Sequence, residues 1–168
     1  MGQIIFVTGG ASSGKSKFAE SLAEGRTAYV ATAEALDDEM REKVRRHKAR
    51  RPADWLTIEE PRDLSLAMRM LPDAVACLLV DSLTLWVANL LDLTDERVIE
   101  LARRFVADTR RLRAKAIVVS DEVGMGIVPG DRASRRYRRL LGEVNQIVAS
   151  EADRVYLVVS GLPIEVKR

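Results

Sequence analysis

Histidine occurs once in this 168-residue chain, and so does cysteine. The lone Cys77 excludes an internal disulfide framework and suits a reducing compartment. It lies in the apolar run AVACLLV, where a small buried hydrophobe fits better than a reactive thiol. No apolar run approaches the roughly 20 residues that a membrane-spanning helix needs. The opening MGQIIFVTGG has no basic segment ahead of its apolar residues, so no signal peptide is expected. Gly2 does not complete an acylation signal, because Phe6 stands where serine or threonine is wanted. A net charge of +2 is too small to argue by itself for nucleic acid or a membrane surface. These absences leave a cytoplasmic globular protein as the expectation, and the length suits one domain with a real core.

Short apolar runs are plentiful. They are IIFVT (Ile4 to Thr8), AYVAT (Ala28 to Thr32), LTIEE (Leu56 to Glu60), CLLVD (Cys77 to Asp81), AIVVS (Ala116 to Ser120) and VYLVV (Val155 to Val159). Several are continuous rather than alternating, as strands covered on both faces require. Helical patterns lie between them, over Ser16 to Ala23, Asp37 to Arg51, Thr94 to Leu112 and Arg132 to Ala149. The closing GLPIEVKR predicts a short last strand. This alternation predicts an α/β fold with a mainly parallel sheet flanked by helices. No repeat, low-complexity tract or linker interrupts it, so residues 1–168 are read as a single domain. The clearest loop is EVGMGIVPGDR, from Glu122 to Arg132.

The first strand runs into GGASSGKS, from Gly9 to Ser16, which fits G-x-x-x-x-G-K-[ST]. Gly9, Gly10, Ala11, Ser12, Ser13 and Gly14 are small enough for backbone N–H groups to turn inward around phosphate oxygens. Lys15 can reach the outer phosphates, and Ser16 can place its hydroxyl on Mg2+. The motif points to a nucleoside triphosphate without choosing between ATP and GTP. A P-loop site also needs a carboxylate at another strand end to hold the metal. Asp81 in CLLVDSL fits best, with Asp121 and Glu122 of IVVSDEVG as the other acids.

The one histidine sits in RRHKARRP. Asp37, Asp38, Glu39 and Glu42 come early in that predicted helix and the cations late, which complements the helix dipole by about 0.3–1 kcal/mol per charge. A solvated charged face therefore explains the arginines but not His47. Met40, Val44 and His47 are spaced i, i+4, i+7 and share the apolar face. Neighbouring cations disfavour an imidazolium, whose ordinary pKa is about 6.5. The same arginines suit forked bonds to phosphates. A neutral imidazole among phosphate clamps suggests covalent nucleotidyl transfer. A satisfied core histidine is the competing reading, and the pattern alone leaves both open.

Taken in order, VTGGASSGKS, YVATAEALDDEMREKVRRHKARRP, WLTIEEP, LLVDSLTLWVANLL, VSDEVGMGIVP, RRYRRLLGEVNQIVA and VYLVVSGLPI closely resemble the bifunctional adenosylcobinamide kinase / adenosylcobinamide-phosphate guanylyltransferase family of cobalamin synthesis. The resemblance spans nearly the whole chain. It implies a RecA-like P-loop NTPase fold, a homotrimer, phosphorylation of the aminopropanol hydroxyl of adenosylcobinamide, and GMP transfer from GTP through a histidine adduct. The matching histidine is His47. Gly9 to Ser16 would bind the triphosphate. Thr32, Ala33, Glu34, Lys48, Ala49, Arg50, Arg51, Glu59 and Asp81 would contact the guanine nucleotide or its metal, with Ser16 and Asp81 on Mg2+. The chain departs from the family at Asp121 and Asp131, where asparagine is common, and at Ser12, often arginine. Asp121 and Asp131 raise the question of added negative charge near phosphates.

Two other readings compete. A plain P-loop small-molecule kinase would need the phosphate loop and Asp81 but not His47. A nucleic-acid-binding ATPase would use the Arg45 to Arg51 stretch, but that cluster is short and lacks interleaved aromatics for base stacking. The expectation is therefore a corrinoid-directed enzyme using GTP or ATP, with neither nucleic acid nor membrane insertion among its partners.

Overall fold

The computed structural model describes residues 2–34, 42, 45, 49 and 51–168. Among them, seven strands make one sheet: β1 (Ile4–Gly9), β2 (Thr27–Ala31), β3 (Leu56–Glu59), β4 (Cys77–Asp81), β5 (Lys115–Asp121), β6 (Arg154–Val159) and β7 (Leu162–Lys167). Their order is β3-β2-β4-β5-β1-β6-β7. Every pairing is parallel except β6 with β7, which is antiparallel. The mainly parallel sheet and the short final strand are both as the apolar runs predict.

Five helices are described: α1 (Lys15–Ser21), α2 (Leu64–Arg69), α3 (Leu83–Asn89), α4 (Asp95–Arg111) and α5 (Arg132–Glu151). The period-2 geometry of the strands sends successive side chains to opposite faces. Ile4 and Phe6 of β1 join Leu78, Val80, Ala116 and Val118 in a large core beneath α2 to α5, where Trp86, Phe105, Leu140 and Leu141 are fully buried. Ile5 and Val7 join Leu79, Ile117 and Val119 on the other face, with Ala19 and Phe18 of α1. Each fully buried Leu, Ile or Phe contributes about 1.5–3 kcal/mol, so the central strands hold the sheet from both sides.

The long helices match their sequence signals. Thr94 caps α4 by accepting from Arg97 N–H at 3.3 Å, and Asp131 caps α5 by accepting from Ser134 N–H at 2.8 Å. Helices α2 and α3 were not predicted. At six and seven residues they are too short to show a period, and burial of Leu64, Met68, Leu83 and Trp86 against the sheet holds them in place. Of the predicted helix from Asp37 to Arg51, the described residues Glu42, Arg45 and Ala49 are helical, and Glu42 pairs with Arg45 one turn on. His47, Lys48 and Arg50 lie outside the described residues.

Because β1, β2, β4 and β5 run parallel, Gly9, Ala31, Asp81 and Asp121 finish along one edge of the sheet. That edge is where open α/β sheets take their ligands.

Candidate nucleotide site

A cavity of about 470 Å³ opens at this edge, lined among others by Ala11 to Lys17, Tyr29, Ala33, Arg51, Asp81, Thr84 and Asp121. The phosphate loop forms one wall. Gly9 is there because backbone passes too close for a side chain: a Cβ would lie 2.5 Å from Val158 O. Gly14 holds a left-handed φ of 92°, and its Cβ would press on Gly161 Cα at 3.1 Å. Ser12 also takes a positive φ of 56°. The turn between β6 and β7 supports the loop from behind, with Gly161 N–H donating to Ser13 O at 2.7 Å.

Lys15 is buried at 9 % exposure, so its ammonium needs partners. It donates to Gly10 O at 3.0 Å and pairs with the Asp121 carboxylate. Asp121 is itself rigidly mounted. Its N–H donates to Thr84 Oγ1 at 2.7 Å, and its carbonyl accepts from Asn145 Nδ2 at 3.1 Å. Tyr137 OH donates to Thr84 O at 3.0 Å. Burial, and then the Asp121 charge, push the Tyr137 phenol up to about 12, so it remains a donor at neutral pH.

Asp81 ends β4, one strand beyond β5. It accepts from Tyr29 OH at 2.9 Å. Burial, with the Asp81 charge next, drives the Tyr29 phenol far above its ordinary range, so this proton also stays in place. The Arg51 guanidinium lies 3.7 Å from the centre of the Tyr29 ring, a cation–π contact that holds a cation at the cavity wall.

The cavity thus carries phosphate-binding N–H groups, the cations Lys15 and Arg51, and two strand-end carboxylates. A family model described as cobinamide kinase / cobinamide phosphate guanyltransferase matches residues 5–166.

The chain belongs to this family.

It is accordingly a bifunctional enzyme, a kinase toward cobinamide and a guanylyltransferase toward cobinamide phosphate. It is 42% identical over 165 residues to the bifunctional adenosylcobalamin biosynthesis protein CobP of Pseudomonas aeruginosa, covering 96% of this chain and 95% of the relative. It is also 40% identical over 182 residues to the bifunctional adenosylcobalamin biosynthesis protein CobU of Salmonella typhimurium, covering 98% and 99%. The Escherichia coli protein of the same description is 37% identical over 180 residues, with the same coverage.

The structure brings the expected loop residues Ala11 to Ser16 together with Ala33, Arg51 and Asp81 around one cavity. Four other expected contacts, Thr32, Glu34, Glu59 and Ala49, are not among the cavity-lining residues. Thr32 is fully buried, and its hydroxyl donates to Ser82 O at 2.7 Å while accepting Ser82 N–H at 2.8 Å. Its side chain therefore joins the ends of β2 and β4. Glu34 is half-buried beside the cavity-lining Ala33, and Glu59 is exposed at the end of edge strand β3. Ala49 is exposed. Asp131 caps α5 and is not among the residues lining the cavity, so its charge is taken up by helix N–H groups. Sequence reasoning missed Tyr29 and Thr84. Tyr29 reads as one more buried strand residue, and Thr84 reads as part of an apolar helix.

The donor set also fits a magnesium ion. Ser16 and Asp81 both line the cavity and offer only oxygens. A carboxylate has about four lone-pair sites, so the Tyr29 bond leaves Asp81 with acceptor capacity. Among the described residues no cluster of three His, Cys, Asp or Glu side chains could cage a metal. Magnesium fits this pattern, since it binds through one or two carboxylates, water and substrate phosphates. No helix among the described residues is long and apolar enough to cross a membrane.

Proposed function

We propose that both activities use this one cavity, with adenosylcobinamide as acceptor and GMP carried on His47. In the kinase step the acceptor hydroxyl attacks the γ-phosphorus of ATP or GTP. The new O–P bond forms as the β–γ bridge breaks, the nucleoside diphosphate leaves, and the hydroxyl proton passes to solvent. Lys15 holds the outer phosphates, while Ser16 and Asp81 would hold magnesium, which neutralises charge on the phosphate oxygens.

In the transferase step a ring nitrogen of neutral His47 attacks the α-phosphorus of GTP. A P–N bond forms, pyrophosphate leaves, and the proton on the other ring nitrogen is released. The phosphate of adenosylcobinamide phosphate then attacks the same phosphorus, the P–N bond breaks and the departing imidazole takes a proton back from solvent, giving adenosylcobinamide-GDP. Arg51 and its neighbours in sequence spread the charge on the α-phosphate oxygens.

The observation that supports this reading is the position of Arg51. It lies four residues after His47 and lines the same cavity as Lys15. The basic segment therefore enters the phosphate cavity at its last residue. A cation there can steady phosphate oxygens in either step, so the labelled adduct below is what separates this reading from a plain kinase.

Incubation with α-labelled GTP and magnesium, followed by denaturation, tests the reading. A phosphoramidate releases its label in acid and keeps it in alkali. His47→Asn should lose the adduct and still phosphorylate adenosylcobinamide from γ-labelled nucleotide. An acid-labile adduct in that variant would refute the assignment. The expected homotrimer also needs a contact between copies. β7 offers one, since Leu162, Ile164 and Val166 project from one face of this strand and are exposed, as is Val159 across the pairing.

A further inference from the structure

A cavity of about 470 Å³ suits one small ligand. Its phosphate-loop lining suits a nucleoside triphosphate. Cobinamide is a corrin macrocycle with amide side chains around its rim. Its bulk must therefore sit outside the mouth while its hydroxyl arm reaches inward. For phosphoryl transfer that arm must end at the γ-phosphate, beside Lys15.

The protein marks that end of the cavity with Asp121, the carboxylate paired with Lys15. From Asp121 the chain runs directly into the 122–131 loop. Val123 packs against the core, but the three apolar side chains beyond it are exposed: Met125 80%, Ile127 97% and Val128 67%. Nothing in the core accounts for an isoleucine held in water. The loop backbone is firmly tied. Arg138 donates to the carbonyls of Gly124, Gly126 and Ile127, the last two at 3.1 Å. Arg135 donates to Pro129 O at 3.0 Å and Gly130 O at 2.6 Å. Two arginines of α5 thus bind five loop carbonyls, the loop starts at the phosphate loop where Glu122 N–H donates to Gly9 O at 2.9 Å, and the three apolar side chains are left in solvent.

We infer that Met125, Ile127 and Val128 form the docking surface for the corrin face of the acceptor. The inference rests on the kinase reading above and assigns its acceptor subsite. A second copy of the chain is a poorer occupant. Three side chains offer at most a few hundred Å², against about 800 Å² per partner in a stable protein interface. A macrocycle needs only such a patch, and its amide rim can stay in water.

The test is equilibrium dialysis of cobinamide, followed by its visible absorbance, with a non-hydrolysable ATP analogue present. Wild type is compared with the double variant Met125→Ser, Ile127→Ser, and with Ile127→Leu. Both altered sites are exposed, so the core is untouched. The double variant should bind cobinamide at least about tenfold more weakly, some 1.4 kcal/mol. Its affinity for the analogue should change less than about twofold, its sedimentation coefficient should be unchanged, and Ile127→Leu should bind as wild type. Equal cobinamide affinity in the double variant overturns the inference. So does failure of wild type to bind cobinamide, or a changed sedimentation coefficient, which would make the loop a contact between copies. Wild type that binds cobinamide without phosphorylating it would refute the kinase reading, while the docking surface is still judged on the two affinities.

Discussion

Asp121→Asn should tighten nucleotide binding. The substitution keeps shape and removes one negative charge. The mount survives, because Thr84 and Asn145 bond the backbone of residue 121 and not its side chain. Lys15 keeps Gly10 O. What disappears is the repulsion between the Asp121 carboxylate and incoming phosphates. Two unit charges ~4 Å apart interact by about 1 kcal/mol in water and about 4 kcal/mol at an effective dielectric of ~20. The Lys15 and Asp121 side chains are 11% and 24% exposed, which places the site between those limits. Lys15 stays beside Asp121 and offsets part of the repulsion, so the lower part of the range applies. A gain of about 1.4 kcal/mol corresponds to tenfold in Kd. Calorimetric titration with a non-hydrolysable GTP analogue, with and without magnesium, measures it. The gain should be largest without magnesium and should shrink as salt rises. If the variant binds more weakly only when magnesium is present, Asp121 is a metal ligand and the reasoning fails. An unchanged Kd in both conditions would also refute it.

Lys15→Ala should reduce kcat/KM for nucleotide in both half-reactions by roughly 10²–10³, the usual cost of losing one charged donor on a transition-state oxygen; steady-state kinetics with each substrate pair checks this. Asp81→Asn should raise the magnesium concentration needed for half-maximal rate while changing nucleotide affinity little, because Tyr29 OH still finds an amide oxygen; a magnesium titration at saturating nucleotide decides it. Asp95 is held below the usual carboxylate range by its bonds from Arg139 and then Arg136, which join α4 to α5. Its stabilisation is therefore complete above the unfolded pKa of about 3.9 and is lost as pH falls through the lower folded value. Asp95→Asn should cost about 1–2 kcal/mol at pH 7, allowing for solvent screening. The gap to wild type in urea unfolding should narrow below about pH 4.

Local signals were legible and long-range ones were not. The cradle is written in eight consecutive residues, so Gly9 to Ser16 could be assigned without knowing any neighbour. Strands β1, β4 and β5 announce themselves as continuous apolar runs because both of their faces are covered. Asp81 and Asp121 could be named as candidate acids from their strand ends. Which of them meets Lys15 depends on β5 lying between β1 and β4, and strand order is not written in any one segment. Tyr29 and Asp81 are bonded across 52 positions, and Thr84 and Asp121 across 37. Thr32 shows the same limit. The resemblance names it as a nucleotide contact, and the bond from its hydroxyl to the Ser82 backbone, 50 positions away, is not legible in the sequence.

The central place of β1 has a consequence for synthesis of the chain. Among the described residues its sheet neighbours are β5 and β6, so β1 has no partner until residues 115–121 have been made. From residue 9 to residue 115 is 106 positions. At about 5–20 residues per second the delay is roughly 5–20 s. Through that interval Ile4, Ile5, Phe6 and Val7, all buried in the finished fold, wait in the nascent chain beside an unformed phosphate loop. GTP cannot template folding from the N-terminus, because the Asp121 and Gly161 contacts of the loop are made from residues translated later. Slowing elongation between β1 and β5 should therefore prolong the exposure of those four side chains and lower the folded yield.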